Sequence, residues 1–262
     1  MIPHRFWDGK SVIVTGGSSG IGRAVAIAVA ASGGRVGIVS RHAERQRDTV
    51  EAIRAAGGTA AGEIADVAEM DDMARAVSAF ERSLGSCDVA IACAGIHRIS
   101  WPLDPVTATE VIDVNVKGCV HLAAAVLPAM LHRRRGHLCG IASIAGVVGL
   151  PGNAVYCASK AAIIAFLEGV RLDAGDSGIQ VTTVFPGVVD TPMVTQAERD
   201  AGGLVSATEA ARIILRSIER GRAEAWFPTR TAIAARAARS LPPLVRDWFL
   251  RRQPRLDEAD GG

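Results

Sequence analysis

Residues 11–22 read SVIVTGGSSGIG, a short β-branched run that leads directly into a glycine-rich turn, and an alanine-rich segment follows. A strand, a glycine turn and a helix in this order bring backbone N–H groups and the positive end of the helix dipole to one point, which can bind a pyrophosphate. Glycine also serves ordinary tight turns, but the flanking strand and helix favour phosphate binding. The spacing differs from G-x-G-x-x-G, and the glycines expected to shape the turn are Gly16, Gly20 and Gly22.

Beyond this turn, short apolar runs alternate with longer amphipathic runs as far as residue 227, which is typical of a parallel sheet with helices on both faces. We predict strands at residues 11–15, 35–39, 59–64, 87–92, 137–142, 179–185 and 223–227. We predict helices at residues 20–32, 42–56, 69–84, 107–134, 154–174 and 206–220. Two helix starts have the capping-box spacing, in which a hydroxyl and a carboxylate satisfy free backbone donors: Thr107 with Glu110, and Ser206 with Glu209.

The composition predicts one domain with a short appended segment. With 262 residues, 49% of them apolar, the chain can bury a large core without a metal or a disulfide. No internal repeat or linker divides residues 1–228, which we predict to form one dinucleotide-binding catalytic domain. Residues 229–262 mix arginine with apolar residues. We predict a basic amphipathic extension here, divided by Pro242-Pro243 into two short helices, with a disordered end at residues 257–262.

Charge and cysteine content exclude several classes of function. The net charge of +2 does not indicate a nucleic-acid partner. The five cysteines are odd in number and have no metal-ligand spacing, so we predict reduced thiols and no metal site. The N-terminal residues lack the apolar stretch of a signal peptide, and no run of about 18 apolar residues suggests a membrane span. These observations predict a cytoplasmic protein.

The basic tail allows three interpretations. Its apolar stripe can pack on the domain or on a neighbouring subunit, which is the commonest use of such a stripe. Residues 229–255 can instead contact an anionic membrane surface, since arginines accompany Trp248, Phe249 and Leu250. The tail can also cover a pocket. We favour packing over membrane contact.

A second pattern concerns the only tyrosine of the chain, Tyr156, which stands four residues before Lys160, one of only three lysines. On a helix this spacing brings both side chains to one face, with Cβ atoms about 5–6 Å apart. A nearby ammonium favours the phenolate form of a phenol. The pair therefore predicts acid–base chemistry.

The residues after the second predicted strand bear on the choice of dinucleotide. A carboxylate at this position usually binds the ribose hydroxyl of NAD, and an arginine usually binds the 2′-phosphate of NADP. The chain has Ser40-Arg41 here and no acid. Arginine is common in this chain, so the missing carboxylate is the stronger half of the argument. We predict that NADP(H) is favoured over NAD(H).

The segment 15–22, Asp66, Asn115, Ser143, Tyr156, Lys160 and Pro186-Gly187 occur in the order found in one family. On these residues the chain resembles the short-chain dehydrogenase/reductase family over about residues 8–227. The resemblance implies a single doubly wound α/β (Rossmann) domain whose parallel strands have the order 3-2-1-4-5-6-7. It also implies assembly as a homodimer or homotetramer.

The resemblance implies which residues contact the cofactor. Asp66 would bond the adenine, Thr191 and Pro186-Gly187 would flank the nicotinamide, and Lys160 would hold its ribose. The full implied set is Gly16, Ser18, Ser19, Gly20, Ile21, Gly22, Ser40, Arg41, Asp66, Val67, Cys93, Ala94, Gly95, Tyr156, Lys160, Pro186, Gly187, Val189 and Thr191. One departure is Cys93, which stands where the family usually has a second asparagine after the fourth strand.

The expected catalytic residues are Asn115, Ser143, Tyr156 and Lys160. Hydride transfer to a carbonyl builds negative charge on oxygen, so the site needs a hydrogen-bond donor and a proton there. Tyr156 would supply the proton and Ser143 would orient the carbonyl. By resemblance, Asn115 would anchor a water that links Lys160 to a proton relay.

We therefore predict an oxidoreductase that transfers a hydride between NADP(H) and a hydrophobic secondary alcohol or ketone. The substrate wall is expected from segments after the strands, with apolar residues such as Trp101, Val147, Val148, Leu150 and Met193. Two residues in the same segments, His97 and Arg98, allow two interpretations: they bind a polar group of the substrate, or they are merely solvated. The alternatives are a noncatalytic NADP(H)-binding regulator, and a nucleotide-sugar epimerase or dehydratase, which usually has a different glycine spacing and a larger C-terminal substrate domain.

Overall fold

The structure, a computed structural model, describes residues 6–99, 101–195, 199 and 203–252, without the side chain of Phe249. Its strands are β1 (Ser11–Thr15), β2 (Arg35–Ser40), β3 (Thr59–Ile64), β4 (Val89–Ala92), β5 (Gly136–Ile141), β6 (Ile179–Pro186), β7 (Val189–Asp190), β8 (Val205–Ser206) and β9 (Glu224–Phe227). Seven of them form a parallel sheet of order β3-β2-β1-β4-β5-β6-β9, and β7 pairs with β8 separately. Counting only the central strands, this is the order 3-2-1-4-5-6-7. The predicted doubly wound fold is therefore confirmed.

The helices are α1 (Gly20–Ala31), α2 (Ala43–Ala55), α3 (Met70–Leu84), α4 (Pro105–Ile112), α5 (Gly118–Arg133), α6 (Ala154–Ala174), α7 (Ala207–Glu219), α8 (Thr229–Ser240) and α9 (Pro243–Leu250). They form two layers. α1, α2 and α7 bury the sheet face that carries Val12 and Val14 of β1. α3, α5 and α6 bury the opposite face, which carries Ile13. Because both faces are covered, the strands are nearly continuous apolar runs, which explains why the sequence located them well.

The topology produces a crevice beside β1. This strand pairs with β2 on one side and with β4 on the other, so the order of the strands reverses there. In doubly wound sheets the carboxyl ends of the strands leave room for a ligand at such a reversal. The glycine turn lies at this edge, between the end of β1 at Thr15 and the start of α1 at Gly20.

One of the two predicted helix starts is wrong. α4 begins after Asp104, whose Oδ2 accepts a hydrogen bond from the Thr107 backbone N at 2.8 Å, and Pro105 occupies the first turn. An aspartate followed by proline is a strong helix start, and it lies upstream of the predicted box. The other start is confirmed for its serine, because Ser206 Oγ accepts from the Glu209 backbone N at 3.1 Å.

The predicted helix at residues 107–134 is confirmed as a helix over Pro105–Arg133, but it is not α-helical throughout. One turn of π-helix, Asp113–Lys117, separates α4 from α5. Such turns insert one extra residue into a helix and occur frequently at functional sites. Asn115 lies in the middle of this turn and is 1% exposed.

The stretch Pro105–Arg133 is long and apolar enough to cross a membrane by length and composition alone. Its most apolar window is 44% buried within the fold. Leu122, Val126 and Met130 of α5 pack in the core beside α3 and α6. A core helix meets the same criteria, so this stretch is weak evidence for a membrane span.

The first half of the tail packs on the domain. Ala232, Ala235 and Ala238 of α8 are buried. Trp226 of β9 stacks on Phe185 with ring centroids 3.7 Å apart, and the guanidinium of Arg236 lies 4.0 Å from the centre of the Trp226 ring. α8 is thus held against the edge of the sheet, as the packing interpretation expected.

The second half of the tail is more exposed, as Leu244, Val245 and Trp248 of α9 show. The proline pair separates α8 from α9 as predicted. The expected disordered end at residues 257–262 lies outside the described residues. The division of the chain at residue 228 stays a prediction.

His137 in β5 gives the fold an expected sensitivity to acid. Its Nε2 donates to Thr182 Oγ1 at 2.8 Å, and Thr182 in turn donates to the Arg222 carbonyl. Nδ1 is buried and makes no hydrogen bond of normal geometry among the described residues, although the Gln180 side chain lies near enough to the ring to oppose the effect of burial in part. Burial lowers the pKa of His137 from 6.5 to about 4, because a second proton would leave a charge in the core.

The depressed pKa of His137 means that the unfolded chain binds more protons than the folded one between about pH 6.5 and pH 4. As the pH is lowered through this interval, the free energy of unfolding should therefore fall, and His137 should account for up to about 3 kcal/mol of the decrease. Urea unfolding at several pH values should show a shallower decline for His137→Gln than for the wild type. Identical declines would show that His137 does not contribute.

Candidate active site

The glycine turn has no room for side chains. A Cβ at Gly22 would lie 2.3 Å from the Gly16 carbonyl oxygen, and one at Gly16 would lie 2.8 Å from Ala94 Cα. Gly16 also has a φ of +69°, which favours glycine. Ser19 is the N-cap of α1, but its side chain makes no capping hydrogen bond. The first N–H groups of α1 thus have no side-chain acceptor at this N-cap, which suits an anion.

The loop after β4 is braced by Thr15, a residue whose role the sequence analysis missed. Thr15 Oγ1 accepts hydrogen bonds from the backbone N of Cys93 at 3.1 Å and of Ala94 at 3.2 Å. A hydroxyl at the end of β1 thus braces the loop in which Cys93 replaces the family's asparagine. Burial raises the pKa of the Cys93 thiol to about 12, so this cysteine is a packed residue.

Two cavities meet across the glycine turn, one of about 490 Å³ and one of about 120 Å³. Every predicted cofactor residue lines at least one of them. The larger is lined by Gly16, Ser19, Gly20, Ile21, Gly22, Cys93, Ala94, Gly95, Tyr156, Lys160, Pro186, Gly187, Val189 and Thr191, and also by Ser143. The smaller is lined by Gly16, Ser18, Ser19, Ser40, Arg41, Asp66, Val67, Ala94 and Gly95.

The smaller cavity carries the residues expected around the adenosine. Ser40 Oγ and Ser18 Oγ are 2.7 Å apart, and Ser40 also accepts a hydrogen bond from the His42 backbone N. Arg41 lies at the edge of this cavity, with its guanidinium 3.5 Å from a carboxylate oxygen of Glu110. The partial exposure of this ion pair leaves it weak and able to exchange partners.

Lys160 is the cation of the larger cavity. Its Nζ donates to the Ile141 carbonyl at 2.9 Å and lies 5.7 Å from the centre of the Tyr156 ring. Burial lowers the pKa of Lys160 from 10.5 to about 8. The residues of the predicted pair therefore lie together on α6, as the four-residue spacing indicated.

Asn115 links the π-helical turn to two neighbouring segments. Its Oδ1 accepts from the Ile96 backbone N at 2.7 Å, and its Nδ2 donates to the Ile96 carbonyl at 3.0 Å and to Ser159 Oγ at 2.9 Å. Ser159, which the sequence analysis missed, donates in turn to the Tyr156 carbonyl. A Cβ at Gly95 would meet Asn115 Oδ1 at 3.2 Å and Lys160 Nζ at 3.5 Å, so the amide and the ammonium lie near the same point.

Ser143 follows β5 and begins a short 3₁₀ turn, Ile144–Gly146. Its Oγ accepts from the Ala145 backbone N at 3.1 Å and donates to the Pro186 carbonyl at 3.4 Å. The second hydrogen bond is long, so the hydroxyl can turn towards a better acceptor in the cavity.

His97 and Asn153 form a polar corner beside Tyr156. The rings of His97 and Tyr156 meet edge to face with centroids 4.8 Å apart, and His97 Nε2 makes a short hydrogen bond with Asn153 Oδ1. Arg98, by contrast, points outwards, with Nε 4.0 Å from a carboxylate oxygen of Glu110. Of the two residues left open by the sequence, only His97 lines the cavity.

The predicted apolar wall is correct in part. Leu150 and Met193 line the larger cavity, and Pro228 and Thr231 at the start of α8 join them. Val148 is instead buried behind the cavity, and Val147 packs in the small cluster around Ile144 and Phe185. Trp101 is 63% exposed to solvent. The segments that follow β4 and β7 also contain residues 100, 196–198 and 200–202, which lie outside the described residues.

Comparison with known proteins agrees with this fold. Residues 10–202 match the family model described as short chain dehydrogenase. An uncharacterized oxidoreductase of Myxococcus xanthus is 34% identical over 249 residues, which cover 93% of this chain and 97% of that protein. An uncharacterized oxidoreductase of Listeria innocua is 33% identical over 201 residues, or 74% of this chain and 81% of that one.

A solved structure has the same fold at lower identity. It is a short chain dehydrogenase/reductase from Burkholderia phymatum in complex with NAD, with a TM-score of 0.82 and 24% identity, and the match covers 95% of this chain and 97% of that chain. The chain belongs to the short-chain dehydrogenase/reductase family and is an oxidoreductase. Proteins of this family use a nicotinamide cofactor, act on small molecules and often oligomerise.

Proposed function

We propose that this protein is an NADP(H)-dependent oxidoreductase that interconverts a secondary alcohol and its ketone, with Tyr156 as the general acid and base. The observation that carries the proposal is a single cavity lined by Tyr156, Lys160, Ser143 and the glycine turn. A phenol, a cation and a hydroxyl thus lie beside a phosphate-binding turn. A protein that only sensed a dinucleotide would not need a proton donor at this place.

The glycine turn suits a dinucleotide for a physical reason. A Cβ at Gly16 or Gly22 would collide with backbone, so glycine at both positions keeps the turn compact and lets the N-terminus of α1 line the larger cavity. The helix dipole of α1 favours negative charge at the same point. When bound, the reduced nicotinamide supplies the hydride that the carbonyl carbon accepts.

The protein's own residues then donate and accept the proton. Tyr156 donates a proton to the carbonyl oxygen as negative charge builds there, and the same phenolate accepts a proton from an alcohol in the opposite direction. The ammonium of Lys160 favours the phenolate and so makes Tyr156 a better donor. Ser143 gives a second hydrogen bond to the oxygen. Asn115 acts as a positioning residue, since it fixes Ile96 and, through Ser159, the turn of α6 that carries Tyr156.

A panel of ketones followed by NADPH absorbance tests the proposed reaction. We expect stoichiometric NADPH oxidation with at least some apolar ketones, because Leu150 and Met193 give the cavity an apolar wall. Tight NADPH binding without oxidation across the panel would favour a noncatalytic regulator.

Replacement of Arg41 by Gln tests the choice of cofactor. Arg41 lines the smaller cavity, where a charge-assisted hydrogen bond to a 2′-phosphate contributes about 1.5–3 kcal/mol. We expect the Kd for NADPH to rise roughly 10- to 100-fold, while the Kd for NADH changes little. Titration of both cofactors by protein fluorescence measures this.

Arg98→Gln is the matched control for Arg41→Gln, because both arginines lie near Glu110 but only Arg41 lines the smaller cavity. Its affinity for NADPH should stay near the wild-type value. If the wild type bound NADH more tightly than NADPH, or if both variants lost affinity equally, the assignment of NADP(H) would be wrong.

We also propose a cytoplasmic homodimer or homotetramer. Exposed apolar side chains on three helices from the middle of the chain support self-association: Val106 on α4 is 78% exposed, Leu131 on α5 is 44% exposed and Leu172 on α6 is 72% exposed. Such residues are commonly covered when subunits meet. Peripheral membrane contact through residues 229–255 is the less favoured role of the tail.

A further inference from the structure

The polar corner formed by His97 and Asn153 is not used by the reaction proposed above. Both residues line the larger cavity, in which Leu150, Val188 and Met193 are apolar. Asn153 is 5% exposed and His97 is partly buried. Groups of this kind in an otherwise apolar cavity usually fix the orientation of a ligand.

The hydrogen bonds of this corner determine which nitrogen of His97 carries the proton. Asn153 Nδ2 donates to the Pro151 carbonyl at 3.0 Å, so the oxygen of this amide faces His97. An amide oxygen can only accept, and His97 Nε2 must therefore donate to it. In the neutral ring Nδ1 is then the remaining hydrogen-bonding atom, and it is an acceptor.

The ring of His97 is fixed close to the reacting group. It meets the Tyr156 ring edge to face with centroids 4.8 Å apart, and the bond to Asn153 prevents it from turning. A substrate whose carbonyl oxygen contacts the Tyr156 hydroxyl therefore passes beside His97 within a few bonds of its carbonyl. An acceptor held at this position suits a hydroxyl group of the substrate.

We propose that His97 is a specificity-determining residue, whose Nδ1 accepts a hydrogen bond from a substrate hydroxyl near the carbonyl, so that the enzyme prefers hydroxylated ketones to their deoxy analogues. The inference rests on the proposed ketone reduction and names the substrate class of the same cavity. A hydroxyl that pairs with a positioned partner is preferred over an analogue that leaves the partner unpaired.

Two pairs of aryl ketones with matched carbon skeletons test this inference. They are 2-hydroxyacetophenone with the hydroxyl on the side chain against acetophenone, and 3-hydroxypropiophenone against propiophenone. For the wild type we expect kcat/KM to be roughly 10- to 100-fold higher for the hydroxylated member of at least one pair.

Two variants separate recognition from a structural role. His97→Leu removes the acceptor and should bring the ratio of the two kcat/KM values close to one, with most of the change in KM. His97→Gln offers an amide acceptor and should restore part of the ratio. If His97 had a merely structural role, both variants would have lower kcat/KM values for both substrates by the same factor, and the ratio would not change.

The outcomes distinguish the two proposals. Reduction of both members of each pair at equal kcat/KM by the wild type would overturn the role of His97 and leave the proposed function intact. An unchanged preference in His97→Leu would also overturn it. Absence of NADPH oxidation with all four ketones and the wider panel would overturn both proposals.

Discussion

Tyr156→Phe is expected to lower kcat for ketone reduction by about 10²- to 10⁴-fold, which is the usual contribution of a general acid. The substitution removes one hydroxyl and keeps the ring, so the edge-to-face contact with His97 and the path of α6 should persist. The Kd for NADPH should change little, because the glycine turn and Arg41 are untouched. Steady-state rates and a fluorescence titration of NADPH measure the two quantities. Near-normal kcat in this variant would contradict the proposed mechanism.

The ionisation of Tyr156 can be measured by absorbance, without an enzyme assay, since Tyr156 is the only tyrosine of the chain. Formation of tyrosinate changes the near-ultraviolet absorbance, and all of that change belongs to Tyr156. Phenolate formation should begin at a lower pH in the wild type than in a variant without the Lys160 ammonium. Tyr156→Phe should show no such change, which makes it the blank for the titration.

The fold could be predicted from the sequence because its signals are local. The glycine turn follows β1 within a few residues, and strands buried on both faces form short apolar runs between longer amphipathic helices. The start of α4 was misplaced because two local signals competed. Asp104 with Pro105 begins the helix, and the capping-box spacing at Thr107 is incidental.

The site could be predicted only where its residues match a family pattern or share one helix. Tyr156 and Lys160 are four residues apart, so their spacing indicates their contact. Asn115 and Ile96 are 19 residues apart, and the clamp between them depends on one turn of π-helix that no periodicity indicates. The approach of His97 to Asn153 depends on a separation of 56 residues, which only the tertiary structure reveals.

The buried ammonium of Lys160 is expected to reduce stability while it supports catalysis. Burial lowers its pKa from 10.5 to about 8, so the folded chain binds fewer protons than the unfolded one between these pH values. The free energy of unfolding should therefore fall as the pH is lowered from about 10.5 to about 8, and the loss is complete below about pH 8. At neutral pH the charged side chain costs up to about 3 kcal/mol of the free energy of unfolding.

The substitution Lys160→Met should accordingly separate the effect of Lys160 on catalysis from its effect on stability. It should lower kcat at least about 100-fold, because the phenol of Tyr156 loses the cation that favours its phenolate. In the cofactor-free protein it should raise the free energy of unfolding at neutral pH by on the order of 1–2 kcal/mol, after about 1 kcal/mol for the lost bond to the Ile141 carbonyl. Urea unfolding and ketone reduction, measured on the same samples, give both numbers.

Lys117→Met is the matched control, because it makes the same change at an exposed lysine that pairs with Asp113 outside the cavity. It should keep kcat and should not raise stability, since its ammonium is solvated. In the wild type, ketone reduction should decline above about pH 8 as Lys160 loses its proton, and this decline should be absent from the residual activity of Lys160→Met. A stabilised and inactive Lys160→Met, beside an active Lys117→Met, would show that the fold retains a destabilising charge because Tyr156 requires it. If Lys160→Met were less stable than the wild type at neutral pH, burial of the ammonium would not be the dominant effect at this position.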